Sequence, residues 1–394
     1  MDNLSNLMRV LFISLLFLSS FLVHSRVSFI PDPPNLNAEN YLLIDHRTQR
    51  ILAEKGADER IEPASITKLM TGYVVADQIN KGFIGLEDDV LVSENCWKKV
   101  GSRMFIEAGK KVSVEDLLKG MVIQSGNDAT CQLAEHIAGS EEGFIDLMQS
   151  YVQDLELKDT NFINSSGWPD NNHYSTARDL AKLSSRLISD YPDHYDLYKE
   201  KWFTFNGIKQ RNRNSLLWQD DSIDGIKTGH TESAGYCLVS SAEREQTRLI
   251  ALTFKSDNER TRITDNRRLL DYGFRYYKTR KILTSGQIVI SESVWGGEEE
   301  YLGLSVKDDI FLTQNPRDFD KINVVTHLDD YLQAPVLEGD RVGDVILELD
   351  GETLYRGDLV AGSTVLSKGI INRVWSSLQL FIYSFLMEDE EKKD

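Results

Sequence analysis

Residues 65–79 read SITKLMTGYVVADQI, and Pro63-Ala64 stand immediately before them. Apolar side chains at 66, 69, 70, 73 and 74 recur with a helical period, so the spacing predicts a helix that Ser65 opens. A hydroxyl at that end lies where backbone N–H groups lack partners and the helix dipole favours negative charge. Lys68 follows one turn later on the same face, within reach of Ser65 Oγ. A serine hydroxyl is a poor nucleophile until a neighbour takes its proton. A lysine can take it only as the free amine, which needs burial or nearby cations to lower its pKa. Read in isolation, Ser65 is equally a plain helix cap.

Working outward, residues 40–53 (NYLLIDHRTQRILA) alternate as a strand, a turn at 46–49 and a second strand. Ser113 with Asp116 forms a capping box opening a helix over 114–123, and Asn127 is placed to cap another over 128–138. Segments 142–155 and 176–188 read as further helices. After the Asp224-Gly225 turn come strands at 225–228, 236–242 and 247–254, the last two a hairpin about 243–246, and then a helix over 258–277. A helical block between an early hairpin and late antiparallel strands implies an α+β domain over residues 26–284. Short alternating segments at 287–294, 309–312, 321–327, 341–349 and 352–359 then predict a small all-β domain over 285–367, with no cluster of catalytic side chains.

Two more strings gain meaning beside Ser65 and Lys68. Ser125-Gly126-Asn127 joins two predicted helices, where Gly126 suits a C-cap and Asn127 an N-cap. In combination, Ser125 offers a hydroxyl to relay a proton and Asn127 an amide to hold a substrate peptide group. Lys227-Thr228-Gly229 lies on a predicted strand. There Gly229 would let a substrate backbone lie along the strand edge, while Lys227 and Thr228 face an anionic group. Lys227 would also supply the positive potential that keeps Lys68 neutral.

Ser65-x-x-Lys68, Ser125-Gly126-Asn127 and Lys227-Thr228-Gly229, in this order, are the motif set of penicillin-binding proteins and serine β-lactamases. The chain resembles the low-molecular-mass penicillin-binding proteins, D-alanyl-D-alanine carboxypeptidases of the penicillin-binding protein 5 type. The similarity runs from about residue 40 to the C-terminus, including 161–179, 198–218 (YKEKWFTFNGIKQRNRNSLLW) and 224–231 (DGIKTGHT). The resemblance implies a β-lactamase/transpeptidase-like catalytic domain followed by the β domain and a terminal amphipathic helix. It implies that Ser65 is the acyl-ester nucleophile and Lys68 its general base, with Ser125 and Lys227 relaying the proton to the leaving D-alanine. The backbone N–H groups of Ser65 and His230 would form the oxyanion hole. Thr228, Arg213 and Arg262 match positions associated with the terminal carboxylate or the local positive field. Peptidoglycan pentapeptide stems are the implied substrate, β-lactams the implied covalent inhibitors, and no cofactor is implied. One departure is Ser166, where close relatives carry a histidine beside the site, which bears on deacylation.

Two other readings stay in view. A β-lactamase shares the scaffold, but no Glu-x-x-Leu-Asn stretch stands between the second and third motifs to place a deacylating glutamate. A non-catalytic envelope scaffold acting through the β domain would need none of Ser65, Lys68, Ser125 or Lys227.

The ends and composition bound the setting. Residues 1–25 read as a signal peptide: Arg9, an apolar run at 10–23 (VLFISLLFLSSFLV), and small residues before a cleavage point after Ser25. Apolar residues between Ile370 and Leu386 recur at i, i+3, i+4, interleaved with polar residues that include Arg373, and a charged tail ends at Asp394. That pattern, in a C-terminal segment 368–394, predicts a helix lying in a membrane interface. The expected location is the periplasmic face of the bacterial inner membrane. A formal net charge of −18 argues against nucleic acid. Three cysteines allow at most one disulfide with one thiol over, and seven scattered histidines show no metal-ligand spacing.

Overall fold

The structure is a computed structural model and describes residues 30–369. The expected signal peptide and the amphipathic helix over 370–386 lie outside the described residues. From Pro33 onward the chain opens with strands β1 (Asn40–Asp45) and β2 (Ile51–Lys55). A 3₁₀ turn (Ala64–Thr67) then leads into helix α1 (Lys68–Asn80). Strand β3 (Asp89–Leu91), helix α2 (Glu94–Trp97), strand β4 (Lys111–Ser113) and helix α3 (Val114–Lys119) follow. Helices α4 (Asn127–Ala138), α5 (Glu141–Asp154), α6 (Ala177–Asp190) and α7 (Pro192–Tyr195) complete the helical block. A short hairpin, β5 (Trp202–Phe205) and β6 (Ile208–Arg211), precedes β7 (Ile223–Thr231), β8 (Gly235–Arg244), β9 (Thr247–Ser256) and helix α8 (Glu259–Tyr276).

The main sheet is antiparallel in the order β2-β1-β9-β8-β7, so the chain's first and last strands of this domain are joined by the β1–β9 ladder. Helix α8 packs close on the sheet at Gly273, where a Cβ would lie 2.4 Å from Leu249 Cδ1. Asn266 fastens the same helix by donating to Leu238 O and Ala251 O at 3.2 and 3.0 Å. Helix α1 is buried from Lys68 to Asp77 and packs against α4, α5 and α6, so it forms the centre of the helical block rather than one face of it.

Local expectations differ from the structure at three points that shape the site. The helix predicted to open at Ser65 begins instead as the 3₁₀ turn, because Ala64 takes φ 48° and Ile66 N bonds Pro63 O at 3.0 Å. The capping box at Ser113 is present, with Asp116 N donating to Ser113 Oγ at 3.1 Å, but the helix passes into a π turn over Gly120–Gln124. Gly120 allows this turn to press on Met104, whose Sδ would lie 2.3 Å from an added Cβ. Finally, Ser125 itself caps that turn at φ 64°, while Gly126, with φ −60°, becomes the N-cap of α4. Asn127 is therefore not a cap, and its side chain is free for other partners.

Beyond α8, strands β10 (Lys278–Leu283), β11 (Ile288–Ser293), β12 (Tyr301–Val306), β13 (Ile310–Gln314), β14 (Asn323–Leu328), β15 (Arg341–Leu349) and β16 (Glu352–Ala361) build two antiparallel sheets, β11-β12-β16-β15-β14 and β10-β13. β12 was not expected, since Gly303 interrupts its alternation; in the sheet the Ile288 side chain of β11 lies over this glycine. β10 pairs with β13, and Leu283 joins the core of Leu302, Leu304, Val345, Leu347 and Leu359. The β domain thus draws on chain before residue 285. Thr279 and Thr313 tie this pair to the first hairpin: Thr279 Oγ1 donates to Asp45 Oδ2 at 2.6 Å, and Thr313 Oγ1 meets Thr48 Oγ1 at 2.7 Å.

Candidate active site

The three sequence motifs converge where β7, the outer strand of the main sheet, meets the 3₁₀ turn. Gly229 makes the approach possible. A Cβ there would lie 3.0 Å from Pro63 O and 3.2 Å from Ile66 Cγ1. Its small size therefore serves the contact between β7 and the Ser65 turn, and the same residue lines the cleft beside Ser65. β7 bonds only β8 in the sheet, so its other edge is left toward the cleft.

Lys68 Nζ, fully buried, has three neighbours: Ser65 Oγ at 3.0 Å, Asn127 Oδ1 at 2.8 Å and Ser166 O at 2.9 Å. Two of these are carbonyl oxygens, which only accept. A neutral amine has two hydrogens and one lone pair, so satisfying both carbonyls turns the lone pair toward the Ser65 hydroxyl. Asn127 is held in that orientation because its Nδ2 donates to Val100 O at 2.7 Å. Burial first, and the Arg213 charge second, bring the Lys68 ammonium down from its ordinary range to about 7. At neutral pH roughly half the molecules then carry the free amine.

Lys227 Nζ donates to Ser125 Oγ at 2.8 Å and to Thr228 O at 3.2 Å. It is itself driven well below its ordinary value by burial, then by Lys68, Arg213 and Arg262. Arg213 adds its positive charge to the mutual repulsion of Lys68 and Lys227. Arg213 Nε bonds Gln124 O at 3.0 Å, at the end of the π turn. Arg262 reaches from α8 to Gly229 O at 3.2 Å, and its Nε has no partner among the described residues. His230 is exposed and its ring lies 4.0 Å from that of Tyr236.

Ser65 lies at the meeting of two clefts. One, of about 640 Å³, is lined by Ser125, Arg213, Thr228, Gly229, His230 and Arg262 among others, together with Lys209 and Arg211. The other, of about 580 Å³, is lined by Asn127, Ser166, Trp168, His230 and Glu232 among others. A cationic cleft on one side of a nucleophile and a more neutral one on the other suit a substrate whose leaving part is anionic.

Sequence reasoning singled out Ser166 for its side chain but missed how its loop meets Lys68. Here the relevant group is a backbone carbonyl, which no residue type signals. Gly167 (φ 82°) rides directly on the nucleophile turn, with an added Cβ only 1.7 Å from Ala64 O. Asn164 Oδ1 gathers the N–H groups of Gly167 and Trp168 at 2.7 and 2.9 Å, and Thr71 Oγ1 donates to Ser165 O at 2.6 Å. Glu141, whose carboxylate meets this loop, is taken up by Lys99 at 2.7 Å and the Ser165 hydroxyl at 2.6 Å. Buried His173 closes the loop. Its Nδ1 accepts from Ile163 N at 3.1 Å, so the proton belongs on Nε2, which donates to Thr67 Oγ1 at 2.8 Å. Burial lowers this imidazole to about 4, which keeps it neutral.

Asp128 was also missed, although an acid directly after Ser-Gly-Asn is a visible signal. Its carboxylate accepts from the N–H groups of Met104 and Phe105 at 2.9 Å and Ile106 at 3.2 Å, holding the 102–106 strap beneath the cleft. Cys96 and Cys131 form a disulfide between α2 and α4, and buried Cys237 is the free thiol. With Glu135 they are the one candidate metal-ligand group among the described residues, and it lies at this disulfide rather than with Ser65.

Comparison with known proteins agrees with this geometry. Residues 27–258 match the D-alanyl-D-alanine carboxypeptidase family, and 277–367 match the penicillin-binding protein 5 C-terminal domain. The chain is 38% identical over 366 residues to the D-alanyl-D-alanine carboxypeptidase DacA of Escherichia coli (strain K12), covering 90% of each. Penicillin-binding protein 5 of Haemophilus influenzae superposes with a TM-score of 0.81 at 38% identity, over 86% of this chain and 100% of that one. Penicillin-binding protein D2 of Listeria monocytogenes, solved in its ampicillin-bound form, matches with a TM-score of 0.58 at 28% identity, over 62% of this chain and all of that one. Coverage this extensive spans both domains as well as the three motifs, and the chain belongs to the D-alanyl-D-alanine carboxypeptidase family.

Proposed function

We propose that the protein is a serine-type D-Ala-D-Ala carboxypeptidase that removes the terminal D-alanine from peptidoglycan pentapeptide stems. The observation that carries this reading is the Lys68 amine, fixed by two carbonyls with its lone pair on Ser65. Lys68 takes the Ser65 hydroxyl proton as Oγ attacks the penultimate carbonyl carbon. The resulting oxyanion is received by the backbone N–H groups of Ser65 and His230. As the C–N bond breaks, Ser125 gives its hydroxyl proton to the leaving nitrogen and takes one in turn from Lys227 Nζ, which donates to it. D-alanine departs on the side of Thr228, Arg213 and Arg262, where the Thr228 hydroxyl can donate to its carboxylate and the two guanidinium charges match it. Water then hydrolyses the Ser65 ester.

Besides the hold on a substrate peptide group expected of it, Asn127 has a second part, since its oxygen accepts from Lys68 while one of its N–H groups donates to Val100 O. It orients the base. The β-lactamase alternative is disfavoured by Glu141, which is tied to Lys99 and Ser165 and offers no free carboxylate to deacylate Ser65. A β-lactam, imitating the terminal dipeptide, would acylate Ser65 and stay.

The same reading places the enzyme at the periplasmic face of the inner membrane, exported by residues 1–25 and held by the helix over 370–386. The Cys96–Cys131 disulfide supports an oxidising compartment. Steady-state release of D-alanine from a pentapeptide tests the activity. Its absence, with penicillin binding intact, would reduce the protein to a binding module. Deleting everything after Lys368 should release a soluble, active protein, whereas the full chain should resist extraction by high salt, which screens charge but not apolar burial.

A further inference from the structure

The hairpin β5–β6 turns Phe203 and Gln210 inward, and Gln210 Nε2 donates to Met104 O at 3.1 Å. Its other face carries Trp202, Thr204, Lys209 and Arg211, all exposed, and Trp202 is paired directly with Arg211. Lys209 Nζ lies 4.5 Å from the Trp202 ring centre, the Arg211 guanidinium 4.1 Å from that of Trp218, and the two indoles meet edge to face at 6.0 Å. Trp202 is 46% exposed and the neighbouring Ile208 is 42% exposed.

The electrostatics of this face are unusual for the chain. With 62 acidic residues against 44 basic ones, a surface cation has many carboxylates available to it. Arg60, Arg178, Arg244 and Arg341 all have one within 4 Å. Lys201, Lys209, Arg211 and Arg213, within a stretch of thirteen residues, have none among the described residues. Aromatic rings hold the stems of two of these cations flat, which lowers the entropy lost when a ligand binds them. Lys209 and Arg211 also line the cationic cleft beside Ser65, so the face continues the site outward.

We propose that this hairpin face is a docking platform for the polymeric substrate, gripping carboxylate-bearing sugar-peptide strand adjacent to the stem being cleaved. The proposal rests on the carboxypeptidase reading for the identity of the polymer. The chemistry fits: unpaired cations attract its carboxylates, and the exposed indole offers apolar surface to sugar and peptide C–H groups. Continuity with the cleft favours substrate polymer over anionic lipid, which would have no reason to sit against the catalytic serine.

The test uses the full chain with Trp202→Ala, and Trp202→Phe as the conservative exchange. Co-sedimentation with insoluble pentapeptide-bearing peptidoglycan, with phosphatidylglycerol vesicles, and turnover of a free pentapeptide are measured on each. Trp202→Ala should weaken binding to the polymer by about fivefold or more, and Trp202→Phe should recover most of it. Free-pentapeptide turnover should stay within about twofold, which also reports that the variant is folded. Wild-type affinity for the polymer should fall as salt rises. Unchanged polymer binding in Trp202→Ala overturns the platform, as does a loss confined to vesicles. Failure of the wild type to release D-alanine instead overturns the activity reading, while the sedimentation result still decides whether the platform exists.

Discussion

Through α8 the fold buries Lys68, Lys227, Arg262, Asp45, Asp77, Asp128, Asp179 and Asp265; beyond residue 285 the buried polar side chains among the described residues are Ser305, Thr313, Gln314 and Asn315, all uncharged. Burying an ion costs several kcal/mol unless its bonding capacity is met. The catalytic domain meets that cost in two ways. Its buried acids are surrounded by donors: Asp128 by backbone N–H groups, Asp179 by Lys158 N, Asp159 N and the Thr160 hydroxyl. They act as clamps. Its buried lysines instead face carbonyls, hydroxyls and other cations, so the cost appears as lowered proton affinity. What burial takes from lysine as a charge, it returns as a base. The β domain, among its described residues, leaves its charges at least partly in water.

The sharpest way to break this contrast is to remove the base. Lys68→Ala should reduce acylation of Ser65 by labelled penicillin by roughly 100-fold or more while the fold survives, and Ser65→Ala should abolish the label. Near-normal labelling of Lys68→Ala would mean that its burial serves packing alone. In the wild type, acylation requires the neutral amine, so its rate should rise with pH through a limb near 7 and level off above it.

His173 should come next in size. His173→Ala frees the loop from Thr67, lets the Ser166 carbonyl leave Lys68 and admits water, costing roughly tenfold in acylation. Gln, whose amide can replace the Nε2–H donor to Thr67, should recover more than Asn, which can replace only the Nδ1 contact. Rehydration of Lys68 should also move the acid limb to higher pH in the Ala variant. A lower rate with an unmoved limb would assign His173 to general stability instead.

Arg213→Gln is a smaller perturbation. It removes a cation that adds to burial in depressing Lys68. The Lys68 pKa should therefore rise, and the variant should lose more activity at pH 6 than at pH 9. The shift should stay below about one unit, since burial remains. If instead the profile keeps its position and only KM for free-acid peptides increases, Arg213 acts on the substrate carboxylate alone.

Much of this site was legible because short-range patterns carry chemistry. Ser65 and Lys68 are one turn apart, and the alternation of 225–254 located β7 to β9. The motif order then matched a known family. What remained hidden depends on contacts across the fold. That Gly229 admits the Pro63 turn, that the αL position falls on Ser125 rather than Gly126, and that Asn127 orients Lys68 follow from neighbours 59 or more residues away or from the π turn before Ser125. The Ser166 carbonyl is the extreme case, because a backbone oxygen leaves no mark on the residue that bears it. In the β domain the error was of another kind: Gly303, lying under the Ile288 side chain of β11, broke the alternation and concealed β12.

The smallest effect should come from the densest ion-pair network of the β domain. Arg341 reaches Asp329, Asp344 and Asp358 from β15, as many partners as Lys68 has. Arg341, Asp329 and Asp358 are 45%, 52% and 63% exposed, so water solvates them whether or not the pairs form, and Asp344, 19% exposed, keeps Arg356 as a second partner. Arg341→Gln should leave D-alanine release unchanged and move the thermal midpoint by no more than about 2 °C, with the difference shrinking further in high salt. A large destabilisation would mean that the network is insulated from solvent and that the β domain, too, depends on tuned charge. The contrast between the two domains would then reduce to a difference in which charges are visible as buried side chains. Opposite charges brought together in water contribute little because the alternative partner is always present, whereas a lysine enclosed by carbonyls has no such alternative, and its proton affinity records the loss.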